Sequence, residues 1–213
     1  MIPKIIHYCW FGDTEKPDLI QQCVESYYNF HSDWLIIEWN NDTYKNEFGY
    51  NEYVKYCIKN KQWVKIADYV RLEVITKIGG IYLDADVEII KPLDDLLDNK
   101  MFFPYQNKIL INHAVCGSVK NNSFINTCVE NYSCNFNGNE HTMSSGPFYI
   151  TKMLQDYYGV KYNKKVKQYD DLTIYPNYYF YPYYVNDNFN INKITPNTYT
   201  IHYWTSTWKK IKS

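Results

Sequence analysis

Short apolar runs along the chain alternate with longer stretches whose apolar residues recur every three or four positions, and this alternation sets the expected elements. Residues 2–10 predict a first strand, with Ile5 and Ile6 at its apolar centre and Phe11-Gly12-Asp13 as the turn after it. Over 17–30, Ile20, Val24 and Tyr27 share one stripe behind a proline in the first turn, which is helical spacing. A second strand is expected over 34–39, ended by Asn40-Asn41-Asp42, and a short helix over 53–58. The strongest periodicity spans 62–78, where Trp63, Ile66, Ala67, Val70, Val74 and Ile78 keep the 3.6-residue period until Gly79-Gly80 stops it. The strand Ile81-Tyr82-Leu83 follows at once and runs into Asp84-Ala85-Asp86. Beyond Pro92 the pattern weakens. It predicts strands near 101–103 and 114–119, helices near 124–132 and 148–158, and a late strand over 198–204.

Strands and helices in this order predict an α/β sheet with parallel neighbours. With 213 residues, no internal repeat and no long linker, the expectation is a single domain over 1–213. Such a chain buries roughly 70% of the surface it exposes unfolded, so its core needs neither metal nor disulfide. Composition changes this picture in a few places only. Aromatics make up 19% of the residues and include 24 tyrosines, side chains with an apolar body and a polar tip that suit walls stacking on sugars and bases. The Tyr-rich run over 175–184, interrupted by Pro176 and Pro182, is expected to line a surface as a loop. A net charge of −1 argues against a polyanion-binding protein held by a broad basic face. The six cysteines form no CxxC pair and no zinc spacing, so free thiols in a reducing cytosol are expected. The N-terminus carries no secretory pattern, and no apolar run approaches the ~18 residues of a membrane span. The expected location is therefore cytoplasmic, with any membrane contact peripheral and at the inner face.

The chemistry centres on Asp84-x-Asp86. Two carboxylates two positions apart, where an apolar strand gives out, project toward the crevice in which open α/β sheets bind ligands. Hard oxygens there suit Mn²⁺ or Mg²⁺, bridging diphosphate oxygens. The pattern alone is weak, since Asp-x-Asp also occurs in turns and Ca²⁺ loops. Its context strengthens it. Asp68 and Arg71, three apart, share a face of the preceding helix, and Arg71 is the one arginine among 22 basic residues. A surface ion pair is the bland alternative; a largely apolar helix feeding the acidic strand end instead aims this planar fork at the same crevice.

At these residues the chain resembles a known family. Ile2-Pro3-Lys4-Ile5-Ile6-His7 with Trp10, then Ala67-Asp68-Tyr69-Val70-Arg71, then Gly79-Gly80-Ile81-Tyr82-Leu83-Asp84-Ala85-Asp86, resemble the DXD-containing sugar transferases of glycosyltransferase family 32. That group includes yeast-type initiating mannosyltransferases and bacterial capsular-polysaccharide transferases, and its core is similar to the glucosylating domains of large clostridial toxins. The closing His202-Tyr203-Trp204-Thr205-Ser206-Thr207-Trp208 resembles the family's C-terminal His…Ser-Trp signature, departing from it by one inserted hydroxyl residue; the middle matches loosely, chiefly at Ser145-Gly146-Pro147.

The resemblance implies a GT-A fold, a Rossmann-like mixed sheet flanked by helices. Residues 1–95 would form the nucleotide-sugar and metal-binding half, and 96–213 the acceptor side with a C-terminal closing segment. It implies Asp68, Arg71, Asp84 and Asp86 as catalytic residues, and Asp84, Asp86 and His202 as ligands of Mn²⁺ or Mg²⁺. Trp10 would stack on the donor's base, with Tyr82 near the ribose or sugar and Asn112 or His113 lining the donor sugar. Ser206 or Thr207, with Trp208, would close over the diphosphate. For Trp10, Tyr82 and His202 a purely structural role stands as the alternative, and His7, His31, His113 and His141 otherwise read as structural or solvent-facing. The implied reaction is a retaining transfer of a hexose from a UDP-sugar, ahead of a GDP-sugar, to a free or lipid-linked glycan acceptor in capsule or surface polysaccharide synthesis. No nucleic-acid partner is expected. An inverting enzyme would need a base near the acceptor, for which Asp170, Asp171 and Glu140 qualify by type only. A nucleotidyltransferase is the enzymatic alternative, disfavoured because Trp10-Phe11-Gly12-Asp13 supplies no cation for a phosphate loop. A degenerate sugar-binding module is the other, against which the intact Asp84, Asp86, Asp68 and Arg71 speak.

Overall fold

In the computed structural model, which describes residues 1–184, 187 and 190–205, the first apolar run forms β1 (Ile5–Cys9) and lies inside the main sheet. It pairs in parallel with β2 (Leu35–Trp39) on one side and β3 (Gly80–Leu83) on the other, in register Ile6↔Ile36 and Ile6↔Ile81. The crossover from β1 to β2 is α1 (Asp18–Phe30), with Pro17 before its first turn. From β2 to β3 the chain passes through α2 (Asn41–Phe48), α3 (Glu52–Lys59) and α4 (Trp63–Lys77). Here the structure corrects one reading. Asn40-Asn41-Asp42 does not merely end a strand: the Asn40 side chain accepts from the backbone N–H of Asp42 and Thr43, and Thr43 bonds back to Asn40, a capping box that starts α2.

After β3 the short β4 (Val87–Ile89) leaves the sheet, and β5 (Met101–Pro104) and β6 (Val115–Ser118) return to it. Helices α5 (Ser123–Asn135), α6 (Thr142–Ser145) and α7 (Pro147–Tyr158) then lead to the hairpin β7 (Lys167–Gln168) and β8 (Leu172–Tyr175), and β9 (Thr200–His202) comes last. The main sheet has seven strands in the order β2-β1-β3-β6-β5-β8-β7, with β6 and β7 antiparallel to their neighbours. The sheet is therefore mixed, and the C-terminal ends of β1, β2, β3, β5 and β8 share one edge. A separate two-stranded sheet joins β4 to β9, placing Val87 opposite His202.

Apolar packing forms two layers. One holds Val70, Val74, Phe103, Phe124 and Leu154 on the α4/α5/α7 side; the other holds Ile6, Ile20, Tyr27, Leu83 and Phe180 on the α1 side. Helix α4 is buried around most of its circumference, including Asp68, Arg71 and Glu73, so its polar residues need internal partners. The Tyr-rich run is a loop beyond β8, as expected, but much of it does not line a surface. Phe180 and Tyr181 are buried in the second layer, and the Tyr181 hydroxyl accepts the backbone N–H of Val115 at 2.9 Å. All six cysteines are free. Among the described residues no helix is long and apolar enough to cross a membrane.

Candidate active site

Where β3 gives out, the chain turns sharply: the Val87 N–H reaches back to the Asp84 carbonyl at 2.9 Å, and the Asp84 N–H is taken by the Ala114 carbonyl at 2.7 Å. The Tyr27 hydroxyl donates to the same Asp84 carbonyl, so α1 and the residue just before β6 both fix the turn. Asp84 Oδ1 then receives the Tyr82 hydroxyl at 3.0 Å and lies 3.0 Å from Arg71 Nη2. Two residues on, Asp86 Oδ2 accepts both the backbone N–H and the hydroxyl of Thr205, at 2.8 and 2.9 Å, while Oδ1 is 3.1 Å from His202 Nε2. His202 reaches Asp86 because β9 pairs with β4, and it is stacked on Trp204 at 3.8 Å.

Among the described residues, Asp84, Asp86 and His202 form a group whose ligand atoms all lie within 4.8 Å of one another. Two carboxylates and one imidazole suit Mn²⁺ or Mg²⁺. Two ligand atoms each ~2.1 Å from one ion, at right angles, are ~3.0 Å apart, close to the Asp86–His202 spacing. The residues fit the cation that the pattern implied.

Arg71 is held on every side. Its Nε donates to the Ala67 carbonyl at 3.0 Å, Nη1 lies 3.3 Å from His113 Nδ1, and Nη2 lies 3.3 Å from Asp68 Oδ1 as well as near Asp84. The guanidinium also lies over the Tyr82 ring, 5.0 Å from its centre. Guanidinium can only donate, so His113 Nδ1 must accept and its proton sits on Nε2. Burial, reinforced by the Arg71 charge, lowers the His113 pKa and keeps the ring neutral. Burial raises Asp68 to about 7 and raises Asp84, in both cases against the pull of Arg71. Asp86 goes the other way: burial opposes ionisation, but His202 and the Thr205 donors hold its carboxyl below the usual range.

The structure thus brings Asp68, Arg71, Asp84, Asp86 and His202 together. Trp10 stands half-buried at the C-terminal end of β1, on the same sheet edge, its indole N–H donating to the Thr14 carbonyl. Tyr82 is a buried strand residue whose hydroxyl is committed to Asp84, so it lies beneath the site rather than on its wall. Asn112 is buried too, its side chain bonding Gln106 and the Ala114 N–H. Ser206, Thr207 and Trp208 lie outside the described residues. Of the base candidates, Asp170 and Asp171 sit in the β7–β8 turn, at the opposite edge of the sheet. Glu140 is engaged with the Tyr53 hydroxyl and the Gly138 N–H. Sequence reasoning missed Thr205 as the residue orienting Asp86, and it weighed His113 without seeing that it braces Arg71. No local signal marks either, since each acts through a partner distant in sequence.

Comparison with known proteins sets this geometry in context. Residues 17–103 match the family described as a glycosyltransferase sugar-binding region containing a DXD motif, and residues 117–213 match an alpha 1,4-glycosyltransferase conserved region. The chain is 28% identical to inositol phosphoceramide mannosyltransferase 3 of Schizosaccharomyces pombe over 70% of this chain and 44% of that protein. It is 28% identical to an uncharacterized glycosyltransferase of Acanthamoeba polyphaga mimivirus over 98% of this chain and 84% of that one. The mouse (Mus musculus) lactosylceramide 4-alpha-galactosyltransferase is 25% identical over 65% of this chain and 40% of its own length. The chain therefore spans less than half of the yeast and mouse relatives. A solved structure, the PaToxG glycosyltransferase, superposes with a TM-score of 0.56 at 19% identity, over 73% of this chain and 69% of that chain, a likeness of fold.

Proposed function

We propose that the chain is a glycosyltransferase of the kind whose sugar-binding region contains a DXD motif, on a GT-A fold, and that it moves a hexose from a nucleotide-diphosphate sugar to a glycan acceptor with the help of a divalent cation. The observation that carries the proposal is the convergence of Asp84, Asp86 and His202 at the C-terminal edge of β3. Mn²⁺ or Mg²⁺ held there would act as a Lewis acid on the charge of the departing diphosphate.

The protein's own residues prepare that event. Arg71 spans Asp68 and Asp84 and fixes both carboxylates, a bracing role for the fork. Asp68, on the helix behind, is the acceptor for donor-sugar hydroxyls. Thr205 and His202 orient Asp86 from the opposite side. Trp10 offers its indole face to the base at the far end of the donor, with uridine favoured over guanosine. Ser206 or Thr207 with Trp208 follow Thr205 directly in sequence and are assigned to the diphosphate.

Retention of configuration is favoured because the carboxylates considered as an acceptor base are at the wrong sheet edge or already hydrogen-bonded. A lipid-linked glycan is the favoured acceptor, since relatives are named for ceramide lipids. The test is donor turnover by the purified protein with UDP- and GDP-sugars. Turnover should need Mn²⁺ or Mg²⁺, stop with EDTA, and be lost in Asp86→Ala. Full turnover by a metal-free preparation would refute the proposal.

A further inference from the structure

Two segments at the site edge of the sheet carry charge that the transfer chemistry does not use. The first is the loop joining β5 to β6, which begins at Tyr105 and exposes Lys108 and Ile109. The second runs from α7 to β7 and exposes every residue from Lys161 to Gln168, in the order Lys-Tyr-Asn-Lys-Lys-Val-Lys-Gln. Strand β7 is antiparallel to β8, so the residues before Lys167 lie toward the C-terminal end of β8, the edge that carries Asp84. The Tyr105 and Tyr162 rings meet at 5.1 Å, which joins the two segments into one surface.

That surface is basic and apolar together. Lys108, Lys161, Lys164, Lys165 and Lys167 are all exposed and make no ion pair among the described residues. Neither segment contains an acidic residue: none occurs over 105–113 or 159–169. Between the lysines, Ile109 is 73% exposed, Val166 41% and Tyr162 39%. Lysines alone read as a solvated face. Lysines alternating with exposed aliphatic and aromatic side chains have the composition of a surface that rests on an anionic bilayer, charges at the headgroups and apolar tips among them.

We propose that this face, the β5–β6 loop with 161–167, docks the protein on an anionic lipid bilayer. Four strand spacings separate β7 from β3, about 19 Å. A bilayer touching the patch therefore lies beside the opening at which Asp84 and Asp86 stand, and an acceptor anchored in that bilayer presents its headgroup to the same edge. The inference rests on the proposed transfer only for the nature of the acceptor. Docking itself is measured without donor or acceptor, so the two readings fail separately.

The experiment is co-sedimentation of the whole chain with vesicles of phosphatidylcholine alone or mixed with phosphatidylserine. Binding should require phosphatidylserine and weaken with salt. Each lysine near the surface contributes about fivefold, so the triple variant Lys161→Glu, Lys164→Glu, Lys165→Glu should bind at least about a hundredfold more weakly, with circular dichroism and donor hydrolysis unchanged. Ile109→Asp should weaken binding as well. Failure to bind, equal binding to neutral vesicles, or a triple variant that binds as tightly as the native chain would overturn the proposal. So would heparin binding as tight as vesicle binding together with an Ile109→Asp variant that behaves as native, since the face would then read charge and not a bilayer.

Discussion

Arg71 carries more of the site than any other side chain, because one planar group faces Asp68, Asp84 and His113 at once. A lysine keeps the charge but not the fork. Arg71→Lys should therefore lower kcat/KM for the donor at least about tenfold, or ~1.4 kcal/mol; steady-state kinetics that match the native enzyme would show the bracing to be dispensable. His7 supports a prediction of a different kind. Its Nε2–H donates to the Gly79 carbonyl at 2.8 Å, and its Nδ1 accepts the Trp39 indole N–H at 3.1 Å, so the neutral ring is fully bonded. Burial outweighs the Gly79 bond and brings its pKa from 6.5 to about 4. The unfolded chain takes up a proton that the native state refuses. Stability is thus complete above about pH 6.5 and falls as pH drops toward 4, by up to about 1.4 kcal/mol per unit. His31 and His113, both lowered by burial, push the same way. Urea melts at pH 7 and pH 5 should show the loss, and His7→Gln should shrink it; an identical pH slope in the variant would place the effect elsewhere. At this scale the sequence singled out positions 68, 71, 84, 86 and 202, which the fold brings together. It could not show Thr205 at Asp86, because that contact joins residues brought together by strand pairing alone.

At the scale of elements, the entry to β3 depends on the absence of a side chain. Gly80 has φ +123°, and a Cβ there would sit 2.7 Å from the Ile5 carbonyl and 2.8 Å from His7 Nε2. Neither neighbour can yield without disturbing β1. Gly80→Ala should cost about 2–3 kcal/mol, combining backbone strain with overpacking, read as a lower urea midpoint with an unchanged slope. A loss under about 0.5 kcal/mol would mean that β1 shifts freely. Helices α1, α4, α5 and α7 were legible because their apolar residues keep one period over three or more turns. Helix α2 was not: it has eight residues and one buried side chain, Tyr44, so its start is marked by the Asn40 cap rather than by a stripe. The misread Tyr-rich run shows the converse. Prolines do break it, at Pro176 and Pro182, yet its rings pack on the sheet, and Phe180 stacks on Phe102 and Tyr199.

For the whole molecule, alternation of strands and helices was enough to foresee a layered α/β sheet, and the crossovers from β1 to β3 follow that rule. Alternation alone did not foresee the antiparallel insertions of β6 and β7, since pairing direction depends on which distant strand is free to accept an edge; the mixed sheet came only from the family resemblance. The same holds for the assembly of the candidate cation site, which draws two of its residues from the turn after β3 and the third from β9. Mn²⁺ at a hundred times its dissociation constant should stabilise the fold by about 2.7 kcal/mol, and His202→Ala should remove most of that gain at the same Mn²⁺ concentration. Thermal melts with Mn²⁺ and with EDTA measure it; an undiminished shift in the variant would leave the imidazole out of the site. The pairing of β4 with β9 also has a consequence for biosynthesis. All seven strands of the main sheet precede residue 176, so a nascent chain can complete that sheet while still lacking the strand that brings His202 and Thr205 to Asp86. Translation arrested in that interval leaves Asp86 without His202 and Thr205, so the candidate cation site is assembled only after β9 has emerged from the ribosome.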